Sequence, residues 1–344
     1  MAVAAPEPLP TPHASKLASS WEHIVAPARP FLNRVSQRMV SQVEDFEPEI
    51  ADYARYALDN QGKQLRPALV ALSGMAFGEL TDDLVDIAVI IEMIHLATLV
   101  HDDIMDEARL RRGRETLATK WGSEVSVLVG DCLFAHALKM ATQYPATDVC
   151  RAIAEATSRV CSGEILQTHR RRRWTLGRAE YFKVLEMKTA ELFALACSLG
   201  VRLAGGPASA QAAMRRYGLA LGTAYQIYDD CLDLYGAENS AGKSLGTDLA
   251  KGKVTLPLLV FLERAAAPDK ARLLGYLEDW RPEYCTDVRR LLDQHDGLGA
   301  SIEEIHRFAQ HARNELTELG QSTSSVALIH FTDFLLQQTS ALGV

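Results

Sequence analysis

The sequence predicts an all-α protein in which the helices of one large domain pack around a central cavity. From Ser20 onward the apolar residues recur at helical spacing, and no convincing run alternates between apolar and polar residues. No Asn-Gly pair marks a tight hairpin. No linker divides this region and no repeat is visible, so we expect a single domain over residues 20–344.

Glycine and proline residues set the ends of the predicted helices. These breaks fall at Gly78, Gly113, Pro145, Gly205-Gly206-Pro207, Gly236 to Gly246 and Pro282. Pro257 is predicted to lie in the first turn of its helix, where a missing N–H costs nothing. The predicted helices span residues 31–44, 47–59, 63–77, 82–107, 117–141, 148–169, 179–201, 208–235, 255–265, 268–280, 285–294, 300–319 and 324–340.

Neither the amino terminus nor the most apolar window predicts a membrane segment. Residues 1–19 carry prolines at positions 6, 8, 10 and 12 and no continuous apolar stretch, which indicates a disordered tail rather than a signal peptide. The window Leu84 to Val100 is short for a membrane span and contains Asp86, Glu92 and His95. We therefore expect a buried helix without a transmembrane segment.

Composition narrows the class of protein. Apolar residues make up 48% of the 344 residues, which suffices for a large core. The net charge of −8 and the pI near 5.7 argue against nucleic acid as the main partner. The six cysteines show no CxxC spacing and are expected to be reduced core residues of a cytoplasmic protein.

An acidic cluster ends the most apolar predicted helix. Asp102, Asp103 and Asp106 form a DDxxD pattern. At 100° per residue they share an arc about 100° wide with Glu92 and His95, on a helix that is otherwise apolar. A single such pattern also fits a solvated helix end, where acidic residues act as caps.

A second DDxxD pattern excludes that simpler explanation. Asp229, Asp230 and Asp233 share one stripe with Gln226 on another largely apolar helix. Two carboxylates about 4 Å apart repel by roughly 4 kcal/mol at an effective dielectric constant near 20. Six such groups therefore need protonation or bound cations, and hard oxygen ligands indicate Mg²⁺, which shares its shell with substrate phosphates.

Basic residues accompany the acidic clusters in sufficient number for two diphosphate groups. Lys188 is the most informative, because its helical neighbours in LEMKTAELFALA are apolar. The chain contains no G-x-x-x-x-G-K-[ST] loop and no G-x-G-x-x-G turn, which disfavours nucleotide-binding folds. The candidate phosphate-binding residues are Lys63, Arg66, Arg111, Arg112, Lys188, Thr189, Lys243 and Lys253.

From about Gly62 to Leu258 the chain resembles the trans-prenyl diphosphate synthases, also called polyprenyl synthetases. The ordered motifs that carry the resemblance are GKQLRP, EMIHLATLVHDDIMDEARLRRG, Gly130-Asp131, GEILQ, KTAELF, YQIYDDCLD and GTDLAKGKVTLPL. The resemblance implies the isoprenoid synthase fold, antiparallel helices around a deep cavity, and a homodimer. It also implies bound Mg²⁺, as three ions with Mn²⁺ as a substitute, and the substrates isopentenyl diphosphate and an allylic diphosphate.

The resemblance also assigns roles to individual residues. It implies Asp102, Asp106 and Asp229 as metal ligands, with Asp103, Asp230 and Asp233 supporting them. It implies Arg111, Lys188, Lys243 and Lys253 around the allylic diphosphate, and Lys63, Arg66, His95 and Arg112 around isopentenyl diphosphate. Gln226 and Thr189 would lie near the developing allylic cation.

These residue types suit ionisation, condensation and elimination. Mg²⁺ and cationic side chains stabilise a departing diphosphate, so that an allylic carbocation forms and the isopentenyl double bond attacks it. The family implies that the leaving diphosphate takes the final proton. An apolar cavity would protect the cation from water.

Two positions on the first acidic helix bear on product length. Ala97 and Thr98 precede Asp102 by five and four residues, about 6–8 Å up the helix. Farnesyl-making members of the family often have an aromatic residue there. The small pair therefore predicts a product longer than farnesyl, with hexaprenyl to decaprenyl favoured over geranylgeranyl, and Phe134 and Leu138 are candidates for the tunnel floor.

The sequence departs from the family pattern at two places. Gln61 replaces the first of two glycines that often precede the first lysine. The final residues, TSALGV, lack the basic cluster with which some shorter-chain members close the site.

Three other functions were weighed. A class I terpene cyclase usually carries an Asn/Asp-Ser/Thr-Glu motif instead of a second DDxxD, and a non-catalytic synthase subunit tends to lose one cluster. A metal-dependent phosphohydrolase, suggested by His101-Asp102, leaves the second cluster unexplained. We interpret Arg170 to Arg173 as a solvated loop, with transient contact to an anionic membrane surface as the second interpretation.

Overall fold

Helices form where long apolar runs lie between the glycine and proline breaks. A computed structural model describes residues 21–59, 62–236, 246–319 and 322–343. The predicted all-α fold class is confirmed, and most predicted helices have the expected bounds within a few residues. The α-helices are α1 Arg29–Ser41, α2 Pro48–Leu58, α3 Leu65–Gly74, α4 Asp82–Met105, α5 Leu117–Trp121, α6 Ser123–Ala141, α7 Thr147–His169, α8 Arg178–Leu185, α9 Glu191–Leu203, α10 Ala208–Tyr235, α11 Thr247–Ala250, α12 Leu256–Arg264, α13 Ala267–Glu278, α14 Cys285–Gln294, α15 Gly297–Glu315 and α16 Thr323–Thr339.

Helix α4 is the core helix that carries the first acidic cluster. Its residues from Leu84 to Ala97 are almost all buried, and it packs against α1, α3 and α6. By length and composition it is apolar enough to cross a membrane, but 72% of its most apolar window is buried inside the protein. This burial is the environment of a core helix, as the sequence predicts.

Helix α10 carries the second acidic cluster and packs along α9 and α15. Its buried Tyr217 donates a hydrogen bond to the Leu328 carbonyl at 2.9 Å, which joins it to the carboxy-terminal helix α16. At the other end of α16, the Gly343 N–H donates to the Tyr235 carbonyl at 3.2 Å. The last helix therefore lies beside the acidic end of α10.

Two predicted helices are interrupted. The predicted helix 117–141 is wrong at Gly122, whose φ of +87° separates α5 from α6. The predicted helix 179–201 contains a π-helical turn, Glu186–Ala190, between α8 and α9. Such turns are often found at functional sites, and this one carries Lys188 and Thr189.

Two short elements were not predicted. Strands β1 Leu110–Arg111 and β2 Arg114–Glu115 form an antiparallel hairpin, although no hairpin was expected here. Its turn residues Arg112 and Gly113 have φ of +51° and +76°, as a type I′ turn requires. Another unpredicted element is the four-residue helix α11, which lies between the predicted break Gly236 to Gly246 and the predicted helix 255–265.

Within the described residues the helices bury one continuous hydrophobic core. All six cysteine thiols are free, and Cys197 and Cys231 are buried. The predicted amino-terminal tail and Lys243 lie outside the described residues.

Candidate active site

The first acidic cluster lies where α4 ends, and its outer carboxylates contact cations from distant segments. The Lys188 Nζ lies 3.6 Å from Asp102 Oδ2. Asp106, which caps the carboxy terminus of α4, accepts from Lys253 Nζ at 2.9 Å on one oxygen and from Arg171 Nη2 at 3.3 Å on the other. The structure therefore brings Asp102, Asp106, Lys188 and Lys253 together, as predicted.

Asp103 has a different environment from its neighbours. Its side chain is buried and accepts a hydrogen bond from Arg111 Nε at 2.6 Å, which fastens the β1–β2 hairpin to α4. Burial raises the pKa of Asp103 to about 6, although Arg111 acts in the opposite direction. This carboxylate holds the hairpin, and Arg111 contacts it rather than an open surface.

Lys188 lies among three oxygen-bearing side chains. Its Nζ is 2.7 Å from Glu164 Oε2 and donates to Gln167 Oε1 at 2.9 Å, in addition to the Asp102 contact. Burial alone lowers the pKa of Lys188, but Asp102 and Glu164 raise it above its ordinary value, so the ammonium stays charged. A methyl group on Gly163 would lie 2.6 Å from the Lys188 backbone nitrogen, so only glycine lets α7 approach the π-helical turn so closely.

The second acidic cluster is held mainly by neutral groups. Asp230 accepts from the Tyr181 hydroxyl at 2.7 Å and from Gln226 Nε2 at 2.9 Å, and burial, with Asp248 nearby, raises its pKa to about 7. Asp233 accepts from the Thr247 hydroxyl at 2.6 Å and from the Asp248 N–H at 3.0 Å. Asp233 therefore positions the segment after α10, Asp230 connects α10 to α8, and Asp229 is only half-buried.

A hydrogen-bonded chain connects the π-helical turn to α10. The Thr189 hydroxyl donates to Gln226 Oε1 at 2.6 Å, and the Gln226 amide in turn donates to Asp230. The two residues predicted to lie near the allylic cation are therefore in direct contact. Their orientations depend on each other, because each amide and hydroxyl group in the chain has a fixed partner.

Lys253 joins the first acidic cluster to the segment that follows α10. Besides Asp106, its Nζ contacts Asp248 Oδ1 at 3.1 Å, and the Lys253 N–H donates to the Asp248 carbonyl at 2.8 Å. Although burial opposes the charge, Asp248 and Asp106 together raise the pKa of Lys253 well above its ordinary value. Asp233 of the second cluster reaches this group only through the Asp248 N–H.

The predicted second phosphate-binding group also assembles, at the start of α3 and the middle of α4. Arg66 is buried, lies 4.9 Å from the Phe193 ring centroid, and has a buried Nε without a hydrogen-bond partner in the described chain. The guanidinium of Arg112 covers Gly62, where an added methyl group would lie 2.5 Å from Cζ. Only a residue without a side chain at position 62 leaves space for the Arg112 guanidinium in this position.

Two titratable groups of α4 face these arginines. Burial, followed by Arg66, Arg112 and Arg111, lowers the pKa of His95 well below 6.5, so the imidazole is neutral. Burial raises the pKa of Glu92, and its Oε2 is buried without a hydrogen-bond partner among the described residues. Lys63 lies at the edge of this group, with its Nζ 4.9 Å from the ring centroid of Phe334 on α16.

The two residues predicted to set product length occupy different environments. Ala97 is completely buried, whereas Thr98 is half-buried and donates its hydroxyl to the His95 carbonyl at 2.6 Å. Phe134 is half-buried, with its ring centroid 5.8 Å from that of His101, and Leu138 is exposed at the surface of α6.

The donor chemistry of the clusters fits Mg²⁺. Within the described ranges, no three acidic, histidine or cysteine side chains lie close enough to hold a metal without other ligands. Mg²⁺ seldom uses such a cage, because it is bound through one or two carboxylates together with substrate phosphates and water. Burial raises the pKa of the adjacent Cys231, so this thiol stays protonated and leaves an oxygen-only donor set.

Several residues of the site were missed or misjudged from sequence. Glu164 and Gln167 belong to the GEILQ motif, one helical turn apart, but no role was assigned to them. No local pattern in the sequence indicates the contacts of Asp248 and Tyr181. The interpretation of Arg170 to Arg173 as a solvated loop is wrong for Arg170 and Arg171, which are half-buried against Glu180 and Asp106.

Comparisons with known proteins agree with this geometry. Residues 47–294 match the polyprenyl synthetase family. The chain is 32% identical to the octaprenyl diphosphate synthase of Haemophilus influenzae over 90% of this chain and 94% of that protein, and 31% identical to a short chain isoprenyl diphosphate synthase of Methanothermobacter thermautotrophicus over 90% and 97%.

A solved structure gives the same result. The polyprenyl synthase of Caulobacter crescentus, complexed with calcium and isoprenyl diphosphate, superposes with a TM-score of 0.86 at 32% identity, covering 92% of this chain and 97% of that one. The fold, the paired acidic clusters and these similarities agree. The chain belongs to the polyprenyl synthetase family and is a prenyltransferase of the trans-prenyl diphosphate synthase class.

Proposed function

We propose that this enzyme condenses isopentenyl diphosphate with an allylic diphosphate, in the presence of Mg²⁺, to an all-trans polyprenyl diphosphate longer than farnesyl. The observation that carries the product length is Ala97, a small and fully buried side chain on α4 just before the metal-binding aspartates. Its side chain is much smaller than the aromatic residue that farnesyl-making members of the family often have at this position.

Asp102, Asp106 and Asp229 are the proposed Mg²⁺ ligands, with Mn²⁺ as a substitute. Of the six clustered aspartates these three are half-buried, while Asp103 holds the hairpin, Asp230 accepts from Tyr181 and Gln226, and Asp233 holds the α11 segment. The calcium in the Caulobacter complex is a divalent cation of the same hard type. When bound, Mg²⁺ would neutralise charge that develops on the departing diphosphate.

The side chains around these ligands bind and orient the allylic substrate. Lys188 and Lys253 are buried cations next to Asp102 and Asp106, so they are positioned to stabilise the diphosphate as its C–O bond breaks. The Thr189 and Gln226 oxygens lie nearby and favour positive charge on the allylic carbon. The departing diphosphate is the proposed base for the final proton.

The other substrate occupies the basic group. Arg66 and Arg112, with Lys63 at the edge, supply positive charge for isopentenyl diphosphate, and the neutral His95 can donate a hydrogen bond to it. The buried Glu92 is the proposed partner that offsets part of this charge. The substrate named in the Caulobacter complex is of the same chemical type.

Product sizing tests the proposal. The purified chain is incubated with Mg²⁺, labelled isopentenyl diphosphate and each allylic starter in turn, and the products are separated by length. We expect hexaprenyl to decaprenyl products. Geranylgeranyl as the end product would support the alternative, which the short-chain relative favours, and farnesyl alone would contradict both.

A substitution tests the role of Ala97 in setting product length. Ala97→Phe should shorten the product, because the ring projects into the space that the growing chain needs. The control Ala271→Phe places the same ring on the exposed face of α13 and should leave product length unchanged. Unchanged length in Ala97→Phe would refute the assignment of Ala97.

The same assay separates the remaining functions. A non-catalytic subunit would be inactive alone, and a terpene cyclase would release a cyclic hydrocarbon without consuming isopentenyl diphosphate.

We further propose a cytoplasmic homodimer that joins through the exposed apolar side chains Val127 and Leu128 of α6. Light scattering of Leu128→Glu should then report a monomer, and cell fractionation tests the location.

A further inference from the structure

The turn between α7 and α8 holds four consecutive arginines, of which the predicted functions use none. Two of them anchor the turn to α8. Arg170 donates to the Glu180 carbonyl at 3.0 Å, and both Arg170 and Arg173 contact the Glu180 carboxylate at 3.6 Å. The backbone of the next residue, Arg172, donates to the Gly252 carbonyl at 2.7 Å. The turn is therefore attached on both sides.

This attachment aims one side chain into the site. Arg171 reaches Asp106 Oδ1, 3.3 Å from its Nη2, and its Nε is buried without a hydrogen-bond partner in the described part of the chain. A buried guanidinium donor that contacts no acceptor is unusual, because leaving it unsatisfied is costly. The guanidinium of Arg171 can therefore still donate a hydrogen bond to a ligand at this position.

A metal ion on Asp106 would compete with the two cations that already contact this carboxylate, because all three are positively charged. Lys253 is the more firmly held of the two, because Asp248 also contacts it at 3.1 Å and its side chain is only 10% exposed. Arg171 has the longer contact and a side chain that is 23% exposed. Arg171 is the cation that can leave when a divalent ion takes the carboxylate.

We propose that Arg171 binds the diphosphate of the allylic substrate, resting on Asp106 until metal and substrate arrive. The inference depends on the proposed function. A planar guanidinium binds two phosphate oxygens at once, and the anchored turn moves only the side chain. Arg171 thus adds a substrate-binding cation from a segment that none of the sequence motifs includes.

Equilibrium binding tests this role. The full-length chain, Arg171→Gln and the control Arg172→Gln, whose exposed side chain takes no part in the contacts described above, are titrated with Mg²⁺ and farnesyl thiodiphosphate, an allylic analogue that does not ionise, and separately with isopentenyl diphosphate. We expect Arg171→Gln to weaken thiodiphosphate binding by about 10- to 100-fold, as for lost hydrogen bonds to a charged group. Isopentenyl diphosphate affinity and both affinities of Arg172→Gln should match the wild type.

Magnesium titration gives a second readout. Without Arg171 the metal competes with one cation fewer at Asp106, so less Mg²⁺ should suffice for half-maximal thiodiphosphate binding at saturating analogue. A merely structural role for Arg171 would not lower this concentration. An increase would overturn the proposal.

The outcomes distinguish this inference from the function on which it rests. If the wild type binds neither ligand, the proposed function fails. If the wild type binds both and Arg171→Gln binds the thiodiphosphate equally well, only the role of Arg171 fails. If Arg171→Gln loses both ligands, Arg171→Lys decides: recovery of isopentenyl diphosphate binding with partial recovery of thiodiphosphate binding supports the proposal, and equal loss of both overturns it.

Discussion

Around Asp102 and Asp106 the carboxylates outnumber the cations that touch them, whereas around Arg66 and Arg112 the cations outnumber one buried carboxylate, Glu92. We call the first group the acidic side and the second the basic side. The acidic side contains Asp102, Asp103, Asp106, Glu164, Asp229, Asp230, Asp233 and Asp248 with Arg111, Arg171, Lys188 and Lys253. The basic side contains Lys63, Arg66 and Arg112 with Glu92 and the neutral His95.

The difference explains how one site can treat two diphosphates differently. On the acidic side a diphosphate would add negative charge to an already negative group, so under the proposed function we expect it to need metal ions to bind. On the basic side the protein alone offers excess positive charge, so we expect the proposed isopentenyl diphosphate to bind there without metal. The two diphosphates are chemically similar, so the difference between their electrostatic environments comes from the charged side chains of the two sides.

Removal of the metal should affect the two sides most unequally. With a chelator, affinity for farnesyl thiodiphosphate should fall on the order of 10³-fold, because Mg²⁺ supplies several kcal/mol of charge stabilisation. Affinity for isopentenyl diphosphate should change little. Calorimetric titration of both ligands checks this, and equal losses would break the comparison.

A carboxylate of the acidic side should matter for rate rather than stability. Asp102→Asn should lower kcat/KM on the order of 10²–10³-fold, the effect of removing a group that stabilises transition-state charge. The control Asp86→Asn lies on the same helix but pairs only with Arg38 at the surface. Steady-state kinetics reports the loss of rate, and circular dichroism checks that both variants stay folded. Similar values of kcat/KM for both variants would contradict the assignment.

Arg66 should be specific to the basic side. Arg66→Gln should raise KM for isopentenyl diphosphate roughly 10- to 100-fold, since a hydrogen bond to a charged group contributes about 1.5–3 kcal/mol. KM for the allylic substrate should stay near wild type. The exposed Arg38→Gln is the matched control, and a rise in both KM values would show that Arg66 is not confined to one substrate.

The smallest effect concerns pH. Because the folded pKa of His95 lies well below 6.5, the folded chain keeps it neutral while the unfolded chain takes up a proton below that pH. The stability that this neutral imidazole contributes is complete above pH 6.5 and is lost as pH falls, by about 1.4 kcal/mol per pH unit. Urea unfolding at pH 7.5 and 5.5 gives the unfolding free energy of the wild type minus that of His95→Gln. This difference should fall by about that amount at the lower pH, and a constant difference would contradict the prediction.

Residues that lie on regular helices were predictable. The spacing of Asp102 and Asp106, and of Asp229 and Gln226, is enough to place each set on one face, because helical geometry repeats locally. Lys188 was predictable as a charge among apolar neighbours, although it lies in the π-helical turn rather than on a regular helix. Even the position of Ala97 follows from counting turns.

The missing parts depend on contacts between distant residues or on very short elements. Arg171 meets Asp106 from 65 residues away, and no local pattern separates it from its three neighbours. The hairpin has strands of two residues, too short for alternation, and an Arg-Gly turn in place of Asn-Gly. The π-helical turn leaves the apolar period almost unchanged, so the sequence reads as an unbroken helix.

The hairpin has a further consequence. Arg111 is fastened to the acidic side through Asp103, and the next residue, Arg112, covers Gly62 on the basic side. Successive Cα atoms are separated by only about 3.8 Å, so one peptide unit joins the acidic side to the basic side. Under the proposed function we expect a shift of one arginine on ligand binding to move the other, and reciprocity then requires each substrate to alter the affinity of the other by the same factor.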